Sequence, residues 1–254
     1  MNEEIKNFLK SIRENNIEEV KSYLNKEDFN PAFLEQAALE EVCINNQKEI
    51  ILLFHKSGKF NFGFQTELMS PFLSALSNCD MEIINLFLKE KELNILNNIE
   101  YSLNAALNNK SHLPFKTILE IAETNNIKFN YEKILNEFIY IPTPEVLKII
   151  IDNKKFDITF SDYLLLFDLL FFVEYHKGYK TKKEVLSILL SDDRYEFIDF
   201  KEIEKRINNR IELLKYIYSI KKLKIPLMNY LNLWKKENKK DIEVLKKIDK
   251  LKEF

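Results

Sequence analysis

The side chains that could perform catalysis or bind a metal are few in this chain of 254 residues. The three histidines are His55, His112 and His176, and the two cysteines are Cys43 and Cys79. No two histidines have the i, i+4 spacing of a helical metal site, and 36 positions separate the cysteines. We expect the histidines to be structural or at the surface, and the thiols to be buried or incidental. A Cys-His nucleophile remains open, because such partners can be distant in sequence.

Neither the acidic pairs nor the glycines indicate a catalytic or nucleotide-binding site. Glu18-Glu19, Glu40-Glu41 and Asp192-Asp193 are pairs of adjacent carboxylates, and adjacent residues of a helix do not face one another. The chain has only 3 glycines, which leaves no glycine-rich phosphate loop or dinucleotide fingerprint. We therefore predict a protein that is not an enzyme and that has no cofactor and no metal site.

The elements that hold these side chains are predicted to be helices. Hydrophobic residues make up 46% of the chain, and only 3 glycines and 6 prolines interrupt it. The most apolar stretch, residues 163–173, contains Asp168 and is shorter than the roughly 20 residues of a membrane span, so we predict a buried helix there.

The first ten residues, MNEEIKNFLK, lack the apolar core of a signal peptide. With two cysteines, this favours a reducing, cytoplasmic location, in the source cell or in a host cell.

A repeat of about 32 residues organises the sequence. Each copy has a polar turn, an anchor position that is usually Glu, and then an apolar stripe at helical spacing. This order predicts a helix, a tight turn, a second helix and a longer loop in every copy. The anchors are Glu19, Glu49, Glu82, Pro114, Glu145, Glu184 and Glu212.

Asparagine replaces glycine in the predicted turns. Asn-Asn pairs stand at 15–16, 45–46 and 208–209, and asparagine tolerates the left-handed backbone conformation that ends many helices. A second landmark follows each anchor, where an apolar residue precedes Asn or Asp, whose side chain folds the loop by bonding to the backbone. These landmarks are Phe29-Asn30, Phe60-Asn61, Leu93-Asn94, Phe129-Asn130, Phe156-Asp157 and, less regularly, Ile198-Asp199.

On these features the chain resembles the ankyrin-repeat family over about residues 5–225. The segment 70–76 (SPFLSAL) is similar to the family's Thr-Pro-Leu-His-x-Ala-Ala helix start, with Leu73 in the place of His. The resemblance implies an all-α solenoid of about seven degenerate helix-turn-helix repeats, without regular β-hairpin fingers because the loop glycine is absent. We assign residues 1–225 to this array and 226–254 to a basic C-terminal capping segment, whose last helix begins at Asp241. Another helical repeat or an irregular helical domain is the alternative.

A stacked array implies a protein-protein interaction module that binds through its concave face and its inter-repeat loops. In the loop 60–64 we expect Phe60 to point inward, and Phe62 and Phe64 to be exposed for a partner protein. Local packing between the second and third repeats is the alternative for this loop. Trp234, the single tryptophan, is a third candidate, with packing of the cap as its alternative. The Lys- and Asn-rich coding bias and the degenerate repeats suggest a host- or defence-directed inhibitor from a virus, phage or parasite.

The charge distribution supports a different partner. The whole chain has a net charge of −2, but residues 201–254 contain 16 basic and 8 acidic residues. This Lys-rich C-terminal segment is the basis of an alternative function, the binding of nucleic acid or of an acidic surface. Because the chain has few arginines, bidentate contacts with phosphate or guanine would be scarce, and we regard nucleic acid as the less favoured partner.

Overall fold

A computed structural model describes residues 3–31, 35–64, 70–91, 93–140, 143–171, 179–206 and 210–237. In these ranges the regular elements are helices and no strand is present, which confirms the predicted all-α class. Short 3₁₀ turns at Ile95–Asn98 and Asp193–Tyr195 connect some of them. The helices are α1 (Glu3–Arg13), α2 (Ile17–Leu24), α3 (Glu35–Ile44), α4 (Lys48–Ser57), α5 (Pro71–Asn78), α6 (Met81–Leu88), α7 (Ile99–Leu107), α8 (Leu113–Thr124), α9 (Tyr131–Tyr140), α10 (Pro144–Asp152), α11 (Phe160–Phe171), α12 (Tyr179–Leu190), α13 (Phe200–Arg206), α14 (Arg210–Ser219) and α15 (Lys221–Glu237).

The seven sequence anchors all lie in even-numbered helices, from α2 to α14, so the 32-residue step marks seven successive helix pairs. Six of the seven fall within the first three residues of their helix, and Glu184 lies deeper in α12. The helix that we predicted over residues 163–173 corresponds to α11, whose Leu165, Leu166 and Phe167 are fully buried.

The chain forms two compact units, Met1–Asn130 and Tyr131–Phe254. The predicted boundary between residues 225 and 226 lies inside α15, which continues through Pro226. The basic segment therefore begins within a helix of the second unit, and the helix predicted to start at Asp241 lies outside the described residues.

In the first unit the helices pack in two rows. The first helices of the pairs follow one another in the order α1, α3, α5, α7, and the second helices in the order α2, α4, α6, α8. Each first helix also packs on the second helix of its own pair. Phe8, Phe54, Phe72, Phe87 and Phe115 are fully buried between the rows, so each pair hides its apolar face against itself and its neighbours.

Asparagine makes two of the tight turns in this unit as predicted. Asn15 and Asn46 have φ angles of 53° and 50°, in the left-handed region. Asn16 then caps α2, because its Oδ1 accepts a hydrogen bond from the Glu19 amide at 3.2 Å. The third turn is different, since Cys79 follows α5 in an extended conformation and Asp80 caps α6. The pair 208–209 lies outside the described residues.

The second unit begins with the same alternation and then departs from it. Helix α9 packs on α11 and α10 packs on α12, but α12 to α15 then pack in consecutive order, and α15 also packs on α11. The Tyr230 hydroxyl on α15 donates a hydrogen bond of 2.7 Å to Asp168 Oδ1 on α11. This contact provides a partner for the carboxylate that interrupts the apolar sequence of α11.

A candidate interaction surface on the first helices

The side chains that could perform catalysis or bind a metal do not converge on one site in the described part of the chain. His55 is exposed at the end of α4, and His112 precedes the first residue of α8. His176 lies outside the described residues. Among the described side chains, no group of three or more His, Cys, Asp or Glu is placed to hold a metal ion.

The loop 60–64 contradicts our expectation that Phe62 is exposed. Phe62 is 3% exposed, and its ring lies 4.8 Å from the ring of Phe87. Phe60 is also buried, stacked at 3.9 Å on Phe54. The physical reason is local, because Asn61 Oδ1 accepts a hydrogen bond from the Gly63 amide and turns the chain between the two aromatic rings. Phe62 therefore packs between the second and third pairs, and the half-buried Phe64 remains a predicted contact residue.

Trp234 lies in α15, and its side chain is outside the part that the structure describes. The basic residues at the start of α15 contact aromatic rings of their own unit. Lys222 Nζ lies 4.2 Å from the ring centroid of Phe197, and Lys224 Nζ lies 4.4 Å from that of Tyr218. The interleaved lysines and aromatics therefore stabilise the unit itself.

One face of the first helices has the same burial pattern in three consecutive pairs. Residues 38, 39, 42 and 43 of α3 are buried, and the corresponding positions of α5 (71, 72, 75, 76) and α7 (102, 103, 106, 107) are buried too. The side chains between these positions are exposed or half-buried, as the helical period requires. We call these accessible side chains the first-helix face. It comprises Glu40, Glu41, Ile44, Leu73, Ser74, Ser77, Tyr101, Asn104 and Ala105.

Contacts between neighbouring first helices make this face continuous. Arg13 Nε on α1 lies 2.9 Å from Glu41 Oε1 on α3. Ser77 Oγ on α5 donates a hydrogen bond of 3.0 Å to the carbonyl of Ala105 on α7. The face therefore extends over the adjacent helices α3, α5 and α7, and Arg13 of α1 borders it.

Two large side chains of this face are exposed. Ile44 is 55% exposed at the end of α3, and Tyr101 is 61% exposed near the start of α7. At the positions that correspond to Ile44, α5 has Ser77 and the C-cap of α7 is Asn108. Sequence reasoning missed both side chains. For Ile44 a signal was present, because the corresponding positions of the next two repeats are the polar residues Ser77 and Asn108.

Asn104 adds an unsatisfied polar atom to the same face. Its Oδ1 is inaccessible to solvent and has no hydrogen-bond partner in the described structure. A buried acceptor without a donor costs free energy. The face therefore combines an exposed aromatic ring and an exposed aliphatic side chain, which are features of a binding surface.

No family model, curated protein or solved structure matches this chain significantly. Among the described residues, no helix is both long enough and apolar enough to cross a membrane.

Proposed function

We propose that this chain is a non-enzymatic protein-protein interaction module, built as an ankyrin-like array, that binds a partner protein through the first-helix face and the adjacent loops. The observation that carries this proposal is the exposure of Tyr101 and Ile44 on the first-helix face. Large exposed aromatic and aliphatic residues are typical anchors at protein interfaces.

The packing of the first unit supports the array. Polar contacts between successive pairs join residues about one repeat apart, as in the 32-residue separation of Lys48 and Asp80 and the 33-residue separation of Lys59 and Lys26. Units that contact only their sequence neighbours create an extended open face. The partner is therefore a folded protein or a helical segment that can lie along that face, including a host or defence protein that the chain inhibits.

The test is site-specific photo-crosslinking in a lysate of the source cell or its host. A photoreactive phenylalanine analogue replaces Tyr101 in one sample and Lys56, which is exposed on α4, in a matched control. We expect one stoichiometric protein adduct from position 101 and none from position 56. Competition by unmodified protein should remove the adduct, whereas Tyr101→Ala protein should compete at least tenfold less well. Equal labelling from both positions would contradict the proposal.

A second candidate function is the binding of nucleic acid or an acidic surface by the Lys-rich C-terminal segment. One observation favours it, the exposure of Lys221, Lys222 and Lys224 in the first turn of α15, next to Ile225, which is 72% exposed. Such binding would weaken steeply with salt and disappear on removal of residues 235–254. Filter binding of labelled DNA and RNA and flotation with anionic vesicles, each at 50 mM and 200 mM salt, distinguish this function from the first.

A further inference from the structure

The only two cysteines of the chain meet in the folded first unit, although 36 residues separate them. Cys43 lies in the last turn of α3 and Cys79 in the turn that follows α5. Cys79 Sγ lies 3.5 Å from the main-chain oxygen of Cys43 and donates a weak hydrogen bond to it. Both thiols are free and buried, with 0% of Cys43 and 2% of Cys79 exposed.

We propose that Cys43 and Cys79 are an oxidative modification site, at which a small two-electron oxidant of the peroxide class forms a disulfide that joins the second helix pair to the third. This inference does not rest on the proposed binding function. A disulfide needs two cysteines that the fold places side by side, and the contact between Cys79 Sγ and the main chain of Cys43 provides this arrangement.

The chemistry balances with hydrogen peroxide as the oxidant. A cysteine sulfur attacks one peroxide oxygen, the O–O bond breaks, and the hydroxide that leaves takes the thiol proton to become water. The sulfur of the second cysteine then attacks the resulting sulfenic acid. The S–S bond forms, and the sulfenic hydroxyl leaves as a second water with the proton of that thiol. Two electrons pass from the two sulfurs to the peroxide.

The environment assigns different roles to the two thiols. The contact with the Cys79 thiol, together with burial, raises the pKa of Cys43. Cys79 keeps a small solvent exposure of 2%, whereas Cys43 is fully buried, so Cys79 is the sulfur that the oxidant meets first and Cys43 is the resolving thiol. Because the thiolate is the nucleophile and the pKa of Cys43 is raised, the resolving step should be slow at neutral pH and faster as the pH rises.

The test uses the full chain, reduced and then exposed to hydrogen peroxide at pH 7 and pH 9 without denaturant. We expect intact mass spectrometry to show a monomer lighter by about 2 Da, and peptide mapping to join the peptides that contain Cys43 and Cys79. The rate at pH 9 should exceed the rate at pH 7 at least threefold. The oxidised chain should unfold at a temperature several degrees higher than the reduced chain, and a reductant should reverse the shift.

Cys43→Ser and Cys79→Ser provide the matched controls. Each variant should gain oxygen at its remaining cysteine or form an intermolecular dimer, with no rise in unfolding temperature. Two free thiols in the oxidised wild-type chain, or a disulfide that forms only in denaturant or only between molecules, would overturn the proposal. If either serine variant fails to fold, the mass and peptide map of the wild-type chain still decide the result.

Discussion

The two units of this protein are built from helix pairs, but different contacts hold successive pairs together. In the first unit, three turns each donate one side-chain hydrogen bond to the last turn of the preceding first helix. Gln47 Nε2 lies 2.6 Å from the Ile12 carbonyl, Cys79 Sγ lies 3.5 Å from that of Cys43, and Asn109 Nδ2 lies 2.8 Å from that of Leu76. The same contact thus recurs with a different donor in each pair.

In the second unit, a concentrated group of polar contacts lies around the segment that follows α12. Asp192, whose side chain is 4% exposed, pairs with Arg194 at 2.6 Å. The Arg194 guanidinium also donates a hydrogen bond of 3.1 Å to the carbonyl of Phe156, and the hydroxyl of the buried Tyr195 donates one of 2.6 Å to the carbonyl of Ile158. The segment after α12 is thereby fixed to the loop after α10. A repeated contact spreads stability over many positions, whereas a single cluster concentrates it.

The two units also differ in the type of residue that adopts the left-handed backbone conformation. Among the described residues of the first unit, those with a left-handed conformation are Gly58 and the asparagines Asn15, Asn46 and Asn126, which tolerate it. In the described part of the second unit the left-handed residue is Tyr163, within α11. Its ring packs edge-on against Tyr195 and Phe197, so tertiary packing offsets a backbone conformation that its residue type disfavours.

The single tryptophan allows the two units to be followed separately. Trp234 lies in the second unit, so its fluorescence reports on that unit, whereas far-UV circular dichroism reports on both. We expect substitutions in the first unit to shift the dichroism transition and to leave the fluorescence transition in place. Coincident shifts for all variants would show that the units unfold as one.

The largest effect is expected for Phe62→Ala. Removal of this buried ring leaves a cavity beside Phe87 and should lower the free energy of unfolding by about 3–5 kcal/mol. Urea unfolding followed by circular dichroism measures the loss. The half-buried Phe64 is the matched control, and Phe64→Ala should cost less than half as much. A stable Phe62→Ala protein would mean that the loop is exposed after all.

Asp192→Asn should destabilise the second unit by about 2–4 kcal/mol, because the partly buried Arg194 loses its anionic partner. The hydrogen bond from Arg194 lowers the pKa of Asp192. A carboxyl group with a lowered folded-state pKa stabilises the fold above its ordinary pKa of about 4, and this contribution is lost as the pH falls from there through the folded-state pKa. Tryptophan fluorescence at a series of pH values should show this loss in the wild type and a flatter profile in Asp192→Asn. Parallel profiles would contradict the assignment.

Asn109→Ala should have an intermediate effect on the first unit. It removes hydrogen bonds to the carbonyls of Leu76 and Cys79 and should cost about 1–2 kcal/mol. Asn108, the exposed neighbour, bonds only within its own helix pair at the carbonyl of Asn104, and Asn108→Ala should be nearly neutral. Equal losses for the two variants would show that the contact between pairs contributes nothing beyond local helix capping.

The smallest effect is expected at the left-handed turn residue Asn46. Asn46→Gly should change the free energy of unfolding by a few tenths of a kcal/mol, because glycine adopts positive φ without strain. Asn46→Ala should cost about 1 kcal/mol, since alanine pays the steric penalty of that conformation. Chemical denaturation of the two variants measures the difference, and a more stable alanine variant would rule out the left-handed turn.

The sequence alone determined the helical class, the positions of the seven helix pairs and the left-handed asparagines at 15 and 46. These features depend on hydrophobic spacing and on backbone preferences, which are properties of neighbouring residues. Only the tertiary structure decided that Phe62 points inward, that Cys43 and Cys79 meet, that Tyr101 and Ile44 are exposed, and that the compact units divide at Asn130. Burial and contact at these positions depend on which distant helix packs against them. A repeat pattern gives the spacing of neighbouring helix pairs, but it does not determine which way the side chains between them point.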